Sequence, residues 1–168
     1  VAVAESYFNQ LLRNYPESKF HSLSEIWLIY THLRMGMVDI ARAEIESIQT
    51  HNSKRGEKLF LIHNILAEIA IEDGNITNIY LHYEQAADYA PSKSKKVSIY
   101  GKLVLIAEKN RDKVKASEYL VSLADVAPEK IRIDARMNWI IYQRELKNYD
   151  GIISEIQRML GMTEFVSE

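Results

Sequence analysis

Hydrophobic residues recur along this chain at the spacing of α-helices. Apolar residues three, four and seven positions apart lie on one face of a helix, and stretches with that spacing alternate with short polar segments. The pattern predicts an all-α fold of about nine helices. The expected helices cover residues 1–15, 22–35, 38–51, 56–73, 76–89, 94–109, 112–126, 131–146 and 149–160.

Every second predicted helix carries the same short motif. It consists of a small or apolar residue, two apolar residues farther along the same helical face and, in most copies, a closing proline. The copies are Ala4-x3-Phe8-x2-Leu11-x4-Pro16, Ala41-x3-Ile45-x2-Ile48-x4-Ser53, Ile79-x3-Tyr83-x2-Ala86-x4-Pro91 and Ala116-x3-Leu120-x2-Leu123-x4-Pro128. A looser fifth copy starts at Ile152 and lacks the proline. The starting positions follow one another at an almost constant interval, which indicates an internal repeat.

The repeated positions have physical reasons. A proline after the last turn cannot continue a helix, so Pro16, Pro91 and Pro128 mark where the chain reverses. A small residue lets a second helix approach closely, so we expect Ala41 and Ala116 to have almost no exposed surface. Turn signals before the later motifs separate the two helices of each pair. They are Gly36, Gly74-Asn75, Asn110-Arg111-Asp112 and Lys147-Asn148.

This arrangement resembles the tetratricopeptide repeat, whose two antiparallel helices carry a small residue, an aromatic residue and a closing proline in the second helix. The resemblance implies a right-handed superhelical solenoid over residues 1–168, formed by the second helix of one repeat and four helix pairs. It also implies a fragment of a longer chain that continues upstream. Two features depart from the family: the period is slightly longer than the family's usual one, and tyrosine is missing from four positions. Those positions hold His32, Ala70, Ala107 and Gln143.

Charge and composition exclude several functions. With 21 Lys and Arg against 23 Asp and Glu, the chain lacks the basic excess that nucleic-acid binding requires. It contains no cysteine, which removes thiol catalysis and Cys-ligated zinc. No apolar run reaches the roughly 20 residues that span a bilayer, so we expect no membrane insertion of this segment.

No catalytic, cofactor-binding or metal-binding residues are predicted. The five histidines form no HExxH pattern, and the sequence has neither a G-x-S-x-G motif nor a glycine-rich phosphate loop. We expect His32 and His63 to pack at helix interfaces, and His21 and His51 to lie in solvated loops. The carboxylates of Glu68 and Glu72 lie one helical turn apart, which is typical of a solvated face. We therefore expect a protein that is not an enzyme and needs no cofactor.

The resemblance implies that the chain binds other proteins or peptides through the concave face formed by the first helix of each pair. The candidate residues on that face are Ile26, Tyr30, Arg34, Asn64, Glu68, Glu72 and Lys109. The family's clamp for a C-terminal carboxylate uses Lys and Asn at helical spacing, and only Asn64 matches it here. We therefore do not expect binding of heat-shock chaperone tails.

A narrower resemblance rests on residues 7–19 (YFNQLLRNYPESK) and 33–36 (LRMG). These stretches are similar to those of bacterial cell-envelope tetratricopeptide proteins, including lipoproteins of outer-membrane assembly and of the Bacteroidetes gliding and type IX secretion machinery. This implies an envelope scaffold in the periplasm or at the outer membrane. The alternatives are a regulatory peptide-binding domain of a larger cytoplasmic sensor or transcription regulator and a repeat-fold enzyme, which would need a deep polar pocket.

The first predicted helix carries an apolar stripe with no upstream helix to cover it. The stripe consists of Tyr7, Phe8, Leu11 and Leu12. We expect part of it to remain exposed and to allow self-association.

Overall fold

The structure is a computed structural model that describes residues 2–48 and 56–164. Within these ranges the regular structure is helical, and nine helices follow one another. They are α1 (Ala2–Asn14), α2 (His21–Arg34), α3 (Val38–Ser47), α4 (Gly56–Glu72), α5 (Ile76–Asp88), α6 (Lys93–Lys109), α7 (Lys113–Val126), α8 (Glu129–Glu145) and α9 (Tyr149–Glu164). The predicted all-α fold of about nine helices is confirmed.

Three helix ends differ by two residues or more from the sequence-based ranges. Helix α3 ends at Ser47 because Ile48 adopts an extended conformation (ψ 115°), and the rest of the expected range, 49–51, lies outside the described residues. Helix α8 begins at Glu129, two residues early, because Pro128 serves as its N-cap with φ −57°. Helix α9 continues to Glu164, since no proline follows its motif.

The turn inside each helix pair has the same backbone geometry. One residue in each turn adopts positive φ: Gly36 (80°), Gly74 (66°), Arg111 (58°) and Lys147 (61°). The amide that follows donates to the carbonyl oxygen five residues back, as in Met37 N to His32 O (3.0 Å). This hydrogen bond is the Schellman termination of a helix. The acceptors in the four turns are His32, Ala70, Ala107 and Gln143, the four positions that lack the tyrosine of the tetratricopeptide pattern.

The same turns also start the second helix of each pair. The side chains of Asn75 and Asp112 accept hydrogen bonds from the backbone N–H three residues later, and Asn148 does the same with Gly151 (3.2 Å). Each side chain satisfies one of the unpaired amides at a helix N-terminus. Met37 at the equivalent place forms no such bond. Helix termination and initiation therefore repeat together in three of the four turns.

Helices that are consecutive in the chain pack against each other. The recorded contacts join α1 to α2, α2 to α3, α3 to α4, α4 to α5, α7 to α8 and α8 to α9, and α2 also contacts α4. The chain divides into two compact units, Val1–Lys96 and Val97–Glu168. Sequential packing is consistent with a helical repeat. The expectation of one continuous array over residues 1–168 stays a prediction.

The motif residues of α3, α5 and α7 are buried, whereas Ala4 of α1 and Ile156 of α9 are exposed. Ala41 and Ala116 are both 0% exposed, which confirms that two helices approach closely at these positions. Tyr83 in the first unit and Leu120 in the second are also buried. Tyr7 on α1 is 67% exposed, so the expected residual exposure of that stripe is confirmed. None of the described helices is both long enough and apolar enough to cross a membrane.

Candidate functional site

Helices α2 and α4 form a two-helix face on the first unit, since they contact each other without being consecutive. Trp27 and Tyr30 of α2 are partly buried on it. Their rings meet edge to face, with centroids 5.7 Å apart and an interplanar angle of 82°. This is a favourable aromatic geometry. The pair therefore forms an aromatic feature that remains partly accessible. We call this surface the α2–α4 face.

Glu68 of α4 is the carboxylate that contributes, after burial, to the raised pKa of two tyrosines in this region. Asn64 Nδ2 donates to Glu68 Oε1 over 3.4 Å. Burial and the nearby Glu68 carboxylate raise the pKa of Tyr30, while Arg34 opposes them. Burial, then Glu68, then Tyr30 raise the pKa of Tyr83 well above its usual value. Both phenols therefore remain protonated hydrogen-bond donors at neutral pH.

The residues predicted for a binding face are distributed unevenly. Tyr30, Asn64 and Glu68 come together on the α2–α4 face, although Asn64 is only 9% exposed. The remaining polar candidates, Arg34, Glu72 and Lys109, are exposed, and Lys109 belongs to the second unit. Ile26 is 1% exposed. The expectation that it is accessible is wrong, because its side chain belongs to the core beneath the face.

His32 lies where three helices meet. Its Nδ1 is 2.7 Å from Glu44 Oε2 of α3, and its Nε2 is 3.6 Å from Glu5 Oε1 of α1. His63 of α4 stacks on the ring of His82 of α5 at 5.7 Å between centroids. The expected interface positions of His32 and His63 are thus confirmed.

The expectation for His21 is wrong, because His21 is the first residue of α2 and its side chain is 3.8 Å from Glu25. His51 lies outside the described residues. Among the residues that the structure describes, no group of three or more His, Cys, Asp or Glu side chains could hold a metal ion.

Each unit contains a cleft formed by three consecutive helices. The first cleft, of about 210 Å³, lies between α1, α2 and α3. Its lining residues are Leu12, Glu25, Leu28, Ile29, Glu44, Ser47 and Ile48. The second cleft, of about 220 Å³, lies between α7, α8 and α9. Its lining residues are Leu120, Val121, Ala124, Asp125, Arg136, Trp139, Glu155 and Arg158.

The two clefts occupy the same place in the repeat. Gly36 and Lys147 hold equivalent turn positions. Adding the difference between their residue numbers to a position in the first lining gives the equivalent position in the second unit. That shift converts Glu25, Leu28, Glu44 and Ser47 of the first cleft into Arg136, Trp139, Glu155 and Arg158 of the second. The equivalent site therefore carries different charges in the two units. The sequence analysis missed both clefts, although aligning the repeats would have paired these positions.

The second cleft contains a nearly buried network of charges. Arg136 and Glu155 side chains are 8% and 13% exposed, and Arg136 Nη1 is 3.1 Å from Glu155 Oε1. Arg158 donates to both oxygens of Glu155, at 2.9 Å from Nε and 3.0 Å from Nη2. In the first cleft, Glu44 and Glu25 have histidine partners in the described residues. The second cleft thus pairs its carboxylate with two arginines of the same chain, whereas the lining of the first cleft contains no arginine.

Comparison of the chain with protein-family models, with curated proteins and with solved structures finds no match in any of the three. The fold defines a class: an all-helical protein whose nine described helices pack in sequential pairs with a repeated turn. No family is identified for it.

Proposed function

We propose that this chain is a tetratricopeptide-like repeat protein that binds other proteins through the α2–α4 face. Support for the fold comes from the recurring motif with its buried Ala41 and Ala116 and from four turns that share one backbone hydrogen bond. Proteins built from such repeats use extended helical surfaces for binding. Because fold alone does not define function, the proposal depends on the chemistry of the face itself.

One observation carries the proposal: a partly accessible aromatic pair lies beside charged side chains. Trp27 and Tyr30 are held edge to face, and Arg34 and Glu72 are exposed near the ends of their helices. Tyr and Trp are the most frequent anchors of protein interfaces, and a polar rim usually surrounds them. The α2–α4 face has this composition, with Glu68 as a carboxylate acceptor among the aromatic rings.

The test compares matched double variants in a quantitative pull-down from the source cells. Tyr30→Ala with Glu68→Lys removes the aromatic anchor and reverses the central charge of the face. Tyr15→Ala with Glu17→Lys makes the same chemical changes at exposed positions of the α1–α2 connection. Both proteins are first checked for folding by circular dichroism and thermal melting.

We expect the face variant to lose most partner recovery and the matched control to retain it. Because Tyr30 is only partly buried, the face variant should be about 1–2 kcal/mol less stable, below the ~3–5 kcal/mol that removing a core aromatic costs. Unchanged partner recovery by a folded face variant would contradict the proposal. A loss of ~3 kcal/mol or more would show that Tyr30 serves packing instead.

A further inference from the structure

We infer that the first cleft, between α1, α2 and α3, binds the guanidinium of an arginine supplied by a partner protein. The inference goes beyond the proposed function, because it names a second binding surface and the residue type that this surface takes. It concerns a surface separate in composition from the α2–α4 face, because the cleft is lined by other residues.

The lining of the first cleft suits a long basic side chain. Its apolar part consists of Leu12, Leu28, Ile29 and Ile48, and its charged part consists of Glu25 and Glu44. Arginine places its methylene stem along apolar surface and keeps its charged head at polar groups. A cleft with aliphatic walls, two carboxylates and no basic residue in its lining is complementary to such a side chain in shape and in charge.

The second cleft supplies a template inside the same chain. At the equivalent place, Glu155 receives two nitrogens of Arg158, which lies three residues later on the same helix. Glu44 is the counterpart of Glu155, but the residue three positions later is Ser47. The Ser47 hydroxyl donates to the Glu44 carbonyl oxygen at 2.7 Å and does not extend to its carboxylate.

The α2 wall of the first cleft also lacks the arginine that the second cleft has at the equivalent position. Arg136, the second guanidinium on Glu155, is replaced in the first cleft by Glu25. The repeat therefore keeps the carboxylate and the cavity, removes both arginines and adds a second carboxylate. A planar guanidinium matches a carboxylate in bidentate geometry, and Arg158 shows that this site of the repeat accommodates it. An arginine from outside the chain would supply the missing guanidinium to Glu44, whose carboxylate contacts the His32 imidazole through Oε2.

The experiment is a titration of ¹⁵N-labelled protein with N-acetyl-arginine methylamide, followed by the backbone amide shifts of Ser47 and Ile48. N-acetyl-citrulline methylamide serves as the matched probe, because it has nearly the same shape and carries no charge. We expect saturable shifts with the arginine probe and much smaller shifts with the citrulline probe. The same titration with N-acetyl-lysine methylamide measures the preference for a planar donor.

Two variants act on the cleft by different routes. Glu25→Gln removes one carboxylate and should weaken the arginine probe at least about tenfold, which corresponds to about 1.4 kcal/mol. Ser47→Arg places a guanidinium three residues after Glu44, as Arg158 follows Glu155, and should fill the site and abolish binding. Ser47 is exposed, so a folding defect is not expected.

The controls change charge outside the cleft. Glu46→Gln removes an exposed carboxylate of α3, and Ser6→Arg adds a guanidinium to an exposed position of α1. Both should bind the arginine probe like the unaltered protein. Equal shifts with the citrulline probe, full binding by Ser47→Arg, or equal weakening by Glu46→Gln and Glu25→Gln would each overturn the inference.

The two proposals fail separately. The variant Tyr30→Ala with Glu68→Lys should still bind the arginine probe, because neither residue lines the first cleft. If that variant loses its partner while the arginine probe never binds the unaltered protein, the α2–α4 face stands and the cleft inference falls. If the arginine probe binds and the face variant keeps its partner, the reverse holds.

Discussion

The imidazole rings of His63 and His82 stack between α4 and α5, with centroids 5.7 Å apart and planes 21° from parallel. The ring of Tyr89 also stacks on His63, with centroids 5.7 Å apart. Both imidazole Nδ1 atoms are buried and lack a hydrogen-bond partner in the described residues. The stack is therefore a packing element that favours two uncharged histidines.

This stack predicts that the first unit loses stability in mild acid. Burial lowers the pKa of both histidines, and for His63 the nearby His82 lowers it further. Below the unfolded pKa of about 6.5, the unfolded chain binds more protons than the folded one, so acid favours unfolding. The contribution is complete above that pH and decreases as the pH falls toward the lower folded pKa values.

Urea denaturation at about pH 7.5 and about pH 5.5 measures the effect. The free energy of unfolding should fall over this interval in the unaltered protein, and the fall should be smaller in His63→Gln with His82→Gln. Gln cannot be protonated, so this variant lacks the linkage. An equally steep dependence in both proteins would mean that other groups cause it.

The His63–His82 stack and the Arg136–Glu155 ion pair occupy the same two positions of the repeat. His82 follows His63 at the same interval along the chain as Glu155 follows Arg136. Each pair joins the first helix of a repeat to the second, once by ring stacking and once by an ion pair. The spacing is visible in the sequence, but the kind of contact is not, because it depends on the side chains that meet.

The ion pair between Arg136 and Glu155 predicts an asymmetric mutational response. Both side chains are nearly buried, so Glu155→Gln removes a counter-charge from a buried guanidinium and should cost about 3–5 kcal/mol. The double variant Arg136→Met with Glu155→Met should regain most of that loss, since it removes both charges together. Thermal and urea denaturation of the three proteins provide the comparison.

Arg158→Ala is the matched control. Its side chain is 51% exposed, and exposed ion pairs contribute about 0–1 kcal/mol, so this variant should remain nearly as stable as the unaltered protein. If Arg158→Ala and Glu155→Gln lose the same stability, burial does not decide the strength of this network.

Most helix positions could be predicted from the sequence because local signals determine them. Pro91 and Pro128 follow helices α5 and α7, and Gly36 and Gly74 adopt the positive φ that the turns require. Apolar spacing then identifies the helical segments between these points. The end of α3 was missed because Ser53 replaces the proline of the motif, so no local signal marks the exit at Ile48.

The binding face was harder to predict because burial depends on neighbouring helices. Ile26 and Tyr30 are one turn apart on α2 and share a helical face, yet Ile26 is 1% exposed while Tyr30 is partly accessible. Apolar spacing places both residues on one stripe. It does not show which of the two side chains a neighbouring helix covers. The pairing of Glu68 with Asn64 was similarly within reach of helical spacing, but its proximity to Tyr83 needed the fold.

Close helix packing at the motif's small residue predicts that a larger side chain is not tolerated there. Ala41 and Ala116 have no exposed surface, so Ala41→Leu and Ala116→Leu should each overpack an interface and cost about 1–3 kcal/mol. Ala43→Leu changes an exposed alanine of α3 and should be nearly neutral. A melting temperature unchanged by Ala116→Leu would refute the assignment of this position to a helix contact.

The turns inside the helix pairs predict opposite effects of glycine at four equivalent positions. Gly36 and Gly74 meet no atom within 4 Å of an added Cβ, so Gly36→Ala and Gly74→Ala should lose about 1 kcal/mol from backbone strain alone. Arg111 and Lys147 already carry that strain, with φ of 58° and 61°. Replacing either by glycine should relieve it.

Relief of strain exceeds the entropic cost of glycine only by a small amount. Left-handed φ costs a non-glycine residue about 1–2 kcal/mol. Glycine avoids this cost, but its extra freedom in the unfolded chain destabilises the folded state by about 0.5–1 kcal/mol. Arg111→Gly and Lys147→Gly should therefore each stabilise the second unit by about 0.5–1 kcal/mol in urea denaturation. Asn110→Gly, next to the turn in the same repeat, has no positive φ to relieve and should not stabilise. Stabilisation by Asn110→Gly equal to that by Arg111→Gly would show that flexibility, and not the left-handed conformation, limits these turns.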